Sequence, residues 1–206
     1  MLGDEITQDL RAIRTKTIAE AAAAGHAVTR SLTSKGIDYG LLTAHPDGGV
    51  DTSGVQGVDA DLRVRPFFAQ GGTISIREFL VGAFNAEMGL EAPDPDLLAA
   101  VGGARVVTPS GMVLDGSTDA IEAPPVVSEA DDSDGDGVVN EIPVAIVDHM
   151  EFYLLNYFKA ARYKVTAEVS KGRQVFDQIG CGECHVADLM INHDRRVADV
   201  ETVYSE

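Results

Sequence analysis

Apolar positions recur at helical spacing in several stretches of the chain. Residues 4–24 keep a helical stripe, with Asp4 as a candidate cap, and residues 75–89 begin with the capping box of Ser75 and end at Gly89. A shorter helix is predicted over about residues 94–101. These patterns indicate a protein built mainly from helices.

Two further helices are predicted in the second half of the chain. One starts with Pro143 in its first turn and continues to Phe158, and it is the most aromatic stretch of the sequence. Its composition predicts the most buried helix of the protein. The other covers residues 171–179 and ends at Gly180.

The segments between these helices are rich in turn-forming residues. Residues 26–70 are expected to form ordered loops over a core, with short strands flanking Pro46–Gly49. A small hairpin is predicted around Pro109–Gly111. The predicted fold is mainly α with long irregular loops and one or two small hairpins. We expect a helical, loop-rich domain over residues 1–165 and the start of a second domain over residues 166–206.

The excess of acidic residues argues against some classes of binding partner. The 206 residues contain 16 Lys and Arg against 33 Asp and Glu, a formal net charge of −17. Such a chain repels phosphate backbones, which argues against nucleic-acid binding and against anionic membrane surfaces. No apolar run approaches the roughly 20 residues that span a bilayer, and the first residues lack the pattern of a signal peptide.

The two cysteines of the chain lie in the motif Cys181-Gly182-Glu183-Cys184-His185. C-x-x-C-H is the attachment signature of c-type haem. Each thiol can add across one porphyrin vinyl group, and the following histidine can bind the iron from the proximal side. The sequence therefore predicts covalent haem on Cys181 and Cys184, with His185 as the iron ligand.

Three alternative hypotheses for the cysteine pair remain. A structural zinc site needs four ligands, and only His193 lies near enough to add to the motif. A redox dithiol normally sits between a strand and a helix, and a disulfide across so short a loop would be strained. The short helix before Cys181, with apolar Val175, Phe176 and Ile179, favours haem over these alternatives.

The other axial position of such a haem has no clear ligand in the sequence. Met190 follows His185 so closely that the backbone could scarcely cross the ring, and His193 has more room but is still close. His149 and Met150 lie on the aromatic helix, where a single histidine or methionine is more often a core residue than a ligand. Only 25 residues follow Cys181, fewer than a haem domain usually contains. We therefore expect the chain to be a segment of a longer exported protein, periplasmic or extracellular, whose haem cover comes from residues 26–160 or another chain.

A second motif begins at Asp132 and reads D-x-D-x-D-G, the first half of a calcium loop. Carboxylates at alternate positions can converge on one hard cation. Position twelve of the loop is Pro143, which cannot ligate, so Glu141 or Asp148 must supply the closing oxygens of a looser loop than an EF-hand. The alternative is a solvated acidic turn. The candidate calcium ligands are Asp132, Asp134, Asp136, the carbonyl of Val138, and Glu141.

From about Asp61 onward the chain resembles the di-haem oxidoreductase family, peroxidases distantly similar to bacterial cytochrome c peroxidases. The matching segments are residues 63–67, 75–79, 82–89, the acidic loop through Asn140-Glu141, residues 148–157 and residues 172–185. The resemblance implies a cytochrome c-like fold, incomplete at the C-terminus, in which Cys181, Cys184 and His185 hold the haem of the second half.

Family members carry two C-x-x-C-H sites, whereas this chain has one. The resemblance therefore implies an electron-carrying segment of a larger di-haem oxidoreductase, with peroxidase activity requiring a second haem. The alternatives are a peroxide-reducing haem domain and a calcium-stabilised scaffold or interaction domain. The expected partners are a basic redox protein and the remainder of the same polypeptide or another subunit.

Overall fold

The computed structural model describes residues 2–68, 71–132, 134–156, 164–183, 185–186 and 189–192. Within these residues it contains five α-helices and two antiparallel sheets. The helices are α1 (Leu2–Ala24), α2 (Ile76–Met88), α3 (Pro95–Val101), α4 (Val144–Asn156) and α5 (Ala167–Gln178). The strands are β1 (Val28–Ser34), β2 (Ile37–Ala44), β3 (Val50–Asp51), β4 (Arg105–Val107) and β5 (Val113–Asp115).

The prediction of a mainly α, cytochrome c-like fold is wrong, because the fold mixes helices with sheets. Residues 28–51 form a three-stranded antiparallel sheet in the order β1-β2-β3. The short strands expected on either side of residues 46–49 are confirmed as β2 and β3, whereas β1 was not expected. Ser34 pairs with Ile37 across a two-residue turn in which Lys35 and Gly36 both have positive φ, 54° and 79°. Lysine is an unusual first residue for such a turn, so the hairpin signal was missed.

The N-terminal helix and this sheet enclose the first of two hydrophobic clusters. Helix α1 packs on β1 and β2 through the side chains that face the sheet. The buried members of this cluster are Ile6 and Leu10 from α1, Leu32, Tyr39 and Leu42 from the sheet, and Leu62 from the loop after the sheet. The predicted apolar stripe of α1 is confirmed, although the helix begins at Leu2 and so passes the expected cap at Asp4.

The second cluster joins α2, α3 and α4 with the β4–β5 hairpin. Its buried members are Leu80, Val81, Phe84, Ala92, Leu97, Ala100, Leu114 and Val147. The helix ends around it follow local sequence rules. The Ser75 side chain accepts a hydrogen bond from the Glu78 amide, Gly89 ends α2 in the left-handed region, and Asp94 caps α3. The predicted caps at Ser75 and Gly89, the predicted helix after Asp94 and the predicted hairpin are confirmed.

Helix α4 departs from its prediction. Only Val147 and Glu151 are buried on it, so it is not the most buried helix despite its apolar composition. Tyr157 and Phe158, which contributed to that prediction, lie outside the described residues.

Ion pairs connect the two clusters. Arg11 of α1 lies 2.8 Å from the Asp119 carboxylate, on the loop after β5, and its guanidinium also donates to the Asp61 carbonyl at 3.2 Å. Arg63 lies 2.8 Å from Asp4 and 3.6 Å from Asp119. The loop after β3, which contains Asp61 and Arg63, is thereby held against α1 and against the loop after β5.

The guanidinium of Arg77, on one of the helices of the second cluster, is fully buried. Arg77 contacts Asp94 at 2.8 Å, Glu151 at 2.6 Å and Asp148 at 2.8 Å, and Asp96 lies 3.6 Å away. Burial opposes the charge on Arg77, but hydrogen bonds and attraction from these carboxylates outweigh it and raise its pKa. One residue therefore ties α2 to the start of α3 and to the inner face of α4.

No helix among the described residues is both long enough and apolar enough to cross a membrane.

Replacing the buried arginine should destabilise the fold strongly. In Arg77→Met the carboxylates of Asp94 and Glu151, both fully buried, lose their counter-charge, a change that typically costs about 3–5 kcal/mol. Urea unfolding of the two proteins measures the difference. The matched control is Arg105→Met, because Arg105 is mostly exposed and 3.9 Å from Asp115; it should change stability by less than about 0.5 kcal/mol. Equal effects of the two variants would contradict the role given to Arg77.

Candidate functional site

The C-x-x-C-H motif follows directly from the end of α5. The hydroxyl of Thr166 caps the helix by accepting from the Val169 amide at 3.3 Å. Gly180 then adopts a φ of +83°, which turns the chain into a one-turn 3-10 helix over Cys181–Glu183. Glycine reaches this left-handed conformation without the steric cost that a side chain brings. The turn therefore sets the direction in which the motif leaves the helix.

Backbone and ring contacts hold the histidine of the motif beside that turn. The His185 amide donates to the Cys181 carbonyl at 2.9 Å, and the Glu183 amide donates to the Gly180 carbonyl at 3.1 Å. The imidazole of His185 lies against the Phe176 ring, with centroids 6.1 Å apart and planes inclined at 59°. Phe176 thus links the helix before the motif to the histidine at its end.

Cys181 has a free thiol and is half-buried. Cys184, the second predicted attachment residue, lies outside the described residues, as does His193. Of the three residues predicted to hold haem, the structure therefore places Cys181 and His185 on one turn.

Helix α5 and the residues after it carry apolar side chains that the described part of the chain leaves largely exposed. None of its residues is buried, and Ile179 keeps 69% of its surface exposed. Val169, Val175, Val186 and Met190 are exposed as well. Exposed apolar side chains grouped in this way are typical of a surface that contacts another apolar group.

The segment beyond the motif returns to the N-terminal helix. The Asn192 amide donates to the Glu5 carboxylate at 2.8 Å, and Lys35 donates to the Asn192 side-chain oxygen at 3.3 Å. Lys35 is itself paired with Glu5 at 2.5 Å. This exposed polar contact places residues 189–192 beside the β1–β2 turn.

The acidic loop is ordered around Asp132. One carboxylate oxygen of Asp132 accepts from the amides of Gly135 and Asp136 at 2.7 and 3.1 Å, and the other accepts from Gly137 at 3.0 Å. Asp136 accepts from the Val138 amide at 2.7 Å. The aspartates therefore shape the loop from within, and both Gly135 and Gly137 adopt positive φ.

The structure adds one carboxylate that the loop sequence does not contain. Oxygen atoms of Glu91, Asp132 and Asp134 all lie within 4.8 Å of one another. Glu91 is 1% exposed and lies just beyond the end of α2. Glu141, a predicted ligand, is close by, because its carboxylate accepts from the Glu91 amide at 2.9 Å.

The predicted calcium ligands are thus only partly brought together. Asp132 and Asp134 join the triad with Glu91, whereas Asp136 does not belong to it and Val138 is half-exposed. A cavity of about 350 Å³ adjoins the triad and is lined by Asn85, Gly89, Glu91, Pro125 and Asp134. An oxygen-only donor set of this kind suits a hard cation such as Ca²⁺.

The sequence signal that could have pointed to Glu91 is weak, because it is a single acid two residues after the glycine that ends α2.

Comparison of the chain with protein-family models, curated proteins and solved structures finds no match. The similarity to di-haem oxidoreductases accordingly stays a prediction that depends on the motifs themselves.

The turn at Gly180 can be tested without any cofactor. Gly180→Ala places a side chain at a φ of +83°, which costs about 1–2 kcal/mol in the left-handed region. We expect faster hydrogen exchange at the His185 amide, because its bond to Cys181 depends on this turn. The control is Gly172→Ala, a helical glycine whose added Cβ meets nothing within 4 Å; it should leave that amide unchanged and stabilise α5. Unaltered exchange in Gly180→Ala would show that another feature sets the turn.

Proposed function

We propose that the chain is a c-type haem protein segment that carries electrons within a larger exported oxidoreductase. The observation that carries the proposal is the motif itself, C-x-x-C-H placed at the turn after a short helix. A thiol adds its sulfur to one vinyl carbon and its hydrogen to the other, so attachment needs no oxidant. A c-type haem, when bound, supplies a one-electron carrier.

Three features of the described residues support a fit to this group. Cys181 offers a free, half-buried thiol, and His185 offers an imidazole one turn further along. Phe176 packs against that imidazole and restricts its orientation. The exposed apolar residues of α5 supply a surface that a flat, apolar macrocycle would remove from water.

The charge of the chain supports a particular kind of electron partner. With a net charge of −17, the protein attracts basic proteins and repels acidic ones, so a basic redox partner would associate at a rate that falls with added salt. We place the natural protein in the periplasm or outside the cell, since attachment of c-type haem takes place on exported chains.

Haem attachment is tested by exporting the chain together with attachment enzymes. We expect one covalently bound haem per chain, visible as haem stain on a denaturing gel and as the corresponding mass increase. Cys181→Ala combined with Cys184→Ala should abolish both signals, because no other cysteine exists in the chain. The same chain made in a compartment without attachment enzymes is the control. An unstained wild type, or zinc bound at one ion per chain, would overturn the proposal.

We propose in addition that the acidic loop binds Ca²⁺ and stabilises the domain that precedes α5. The triad of Glu91, Asp132 and Asp134 supports this reading, because it joins the loop to the end of α2. A divalent cation there would offset the charge of a buried carboxylate and fasten the loop to the second hydrophobic cluster. Such a role needs no haem, so it would also serve a non-catalytic scaffold.

Calcium binding is measured by titration calorimetry and by melting with and without a chelator. A ligand at about 100 times its Kd stabilises a fold by about 2.7 kcal/mol, so chelation should lower the melting temperature. Glu91→Gln and Asp134→Asn should each weaken binding at least tenfold.

The matched control for these variants is Glu129→Gln, which removes the same charge from an exposed position of the same acidic stretch. It should leave the affinity within twofold of the wild type. A loss confined to Asp134→Asn would exclude Glu91 as a ligand, and equal effects of all three variants would reduce the site to general charge attraction.

A further inference from the structure

A cavity lies between α1 and the segment formed by β3 and the loop after it. Its volume is about 380 Å³, which falls within the range of roughly 300–1,000 Å³ that is usual for small-molecule sites. The lining residues are Arg14, Thr15, Ile18, Val50, Thr52 and Ala60. The lining thus combines one cation with two hydroxyl groups and three apolar side chains, and it contains no acid.

The side chain of Arg14 has no counter-charge among the residues that the structure describes. It is half-buried, yet within that part of the chain it forms no ion pair and no hydrogen bond. Every other described arginine pairs with a carboxylate, from Arg77 in the buried cluster to Arg173 on the exposed helix α5. An arginine without such a partner stands out in a chain that has 33 acidic residues and 16 basic ones.

The acidic residues near the cavity are bound elsewhere. The residues three and four positions away from Arg14 along α1, where a side chain could reach it, carry no negative charge. Further along the helix, Glu20 pairs with Arg30 at 2.9 Å. In the loop after β3, Asp59 pairs with Arg65 at 2.7 Å. An anionic ligand could therefore pair with Arg14 without displacing a described protein carboxylate.

We propose that this cavity binds a small organic carboxylate, a role that does not depend on haem. The planar guanidinium of Arg14 can donate two parallel hydrogen bonds to a carboxylate. The hydroxyl of Thr52 has no hydrogen-bond partner among the described residues and can donate to the same anion. Ile18 and Val50 would cover the aliphatic part of the ligand.

The composition of the lining favours a carboxylate over inorganic phosphate. Phosphate carries more charge and has no apolar part, so it would leave the apolar side chains of the cavity without a partner. A monoanion with an aliphatic chain matches the single cation and the apolar wall together.

Titration of the full chain with sodium hexanoate, followed by nuclear magnetic resonance, tests the proposal. We expect saturable shifts of the Ile18 and Val50 methyl resonances, because these side chains would contact the aliphatic chain. Acetate has the charge with almost no chain, and hexanol has the chain without the charge. Each should bind roughly tenfold more weakly than hexanoate, and inorganic phosphate should also bind more weakly.

Variants of α1 assign the binding to Arg14. Arg14→Met should weaken hexanoate binding by roughly tenfold, because it removes a charged hydrogen-bond donor. The matched control is Lys16→Met, which removes the same charge from an exposed position on the same helix that does not line the cavity. It should leave the affinity within about twofold of the wild type. Circular dichroism should be unchanged in both variants, because neither residue belongs to a hydrophobic cluster.

The outcomes distinguish the site from nonspecific attraction. Shifts that do not saturate, or equal losses in Arg14→Met and Lys16→Met, would overturn the site and leave only general attraction of anions. Binding of hexanol or of phosphate as tight as that of hexanoate would overturn the assignment to carboxylates. Haem stain plays no part in these measurements, so their failure would leave haem attachment unaffected.

Discussion

The second half of the described fold depends on one buried guanidinium. Arg77 neutralises carboxylates from the start of α3 and from two positions of α4, and the same Glu151 accepts hydrogen bonds from Thr108 and Ser110. A buried charge is stable only when its partners are complete, so the helices and the β4–β5 hairpin must adopt one arrangement. The ionic cluster around Arg77 contributes specific packing more than buried apolar area, because α4 buries only two of its residues.

That arrangement explains why so apolar a helix is exposed on its outer side. With Asp148 and Glu151 facing Arg77, the helix cannot rotate to bury its aromatic residues without removing two carboxylates from their counter-charge.

The acidic loop is also held by two kinds of contact, one between near neighbours in the sequence and one with a distant residue. Asp132 shapes the loop through amides no more than five residues away, as a D-x-D-x-D-G sequence predicts. Glu91 reaches the same place from the end of α2, while Glu141 bonds to its amide. A cation at this triad would add a second connection between two segments that the Glu141 bond already joins, which is why we propose a stabilising role for it.

The sequence by itself determined the features that depend on near neighbours. These include the caps at Ser75 and Gly89, the start of α3 near Asp94, the hairpin after α3, and the motifs at Cys181 and Asp132, because each signal lies within a few residues. Tertiary structure decided the partners of Arg77, the place of Glu91 and the exposure of α4. Those outcomes depend on contacts between residues far apart in the chain. A buried charge or a shared core stabilises such contacts only when the whole fold has formed.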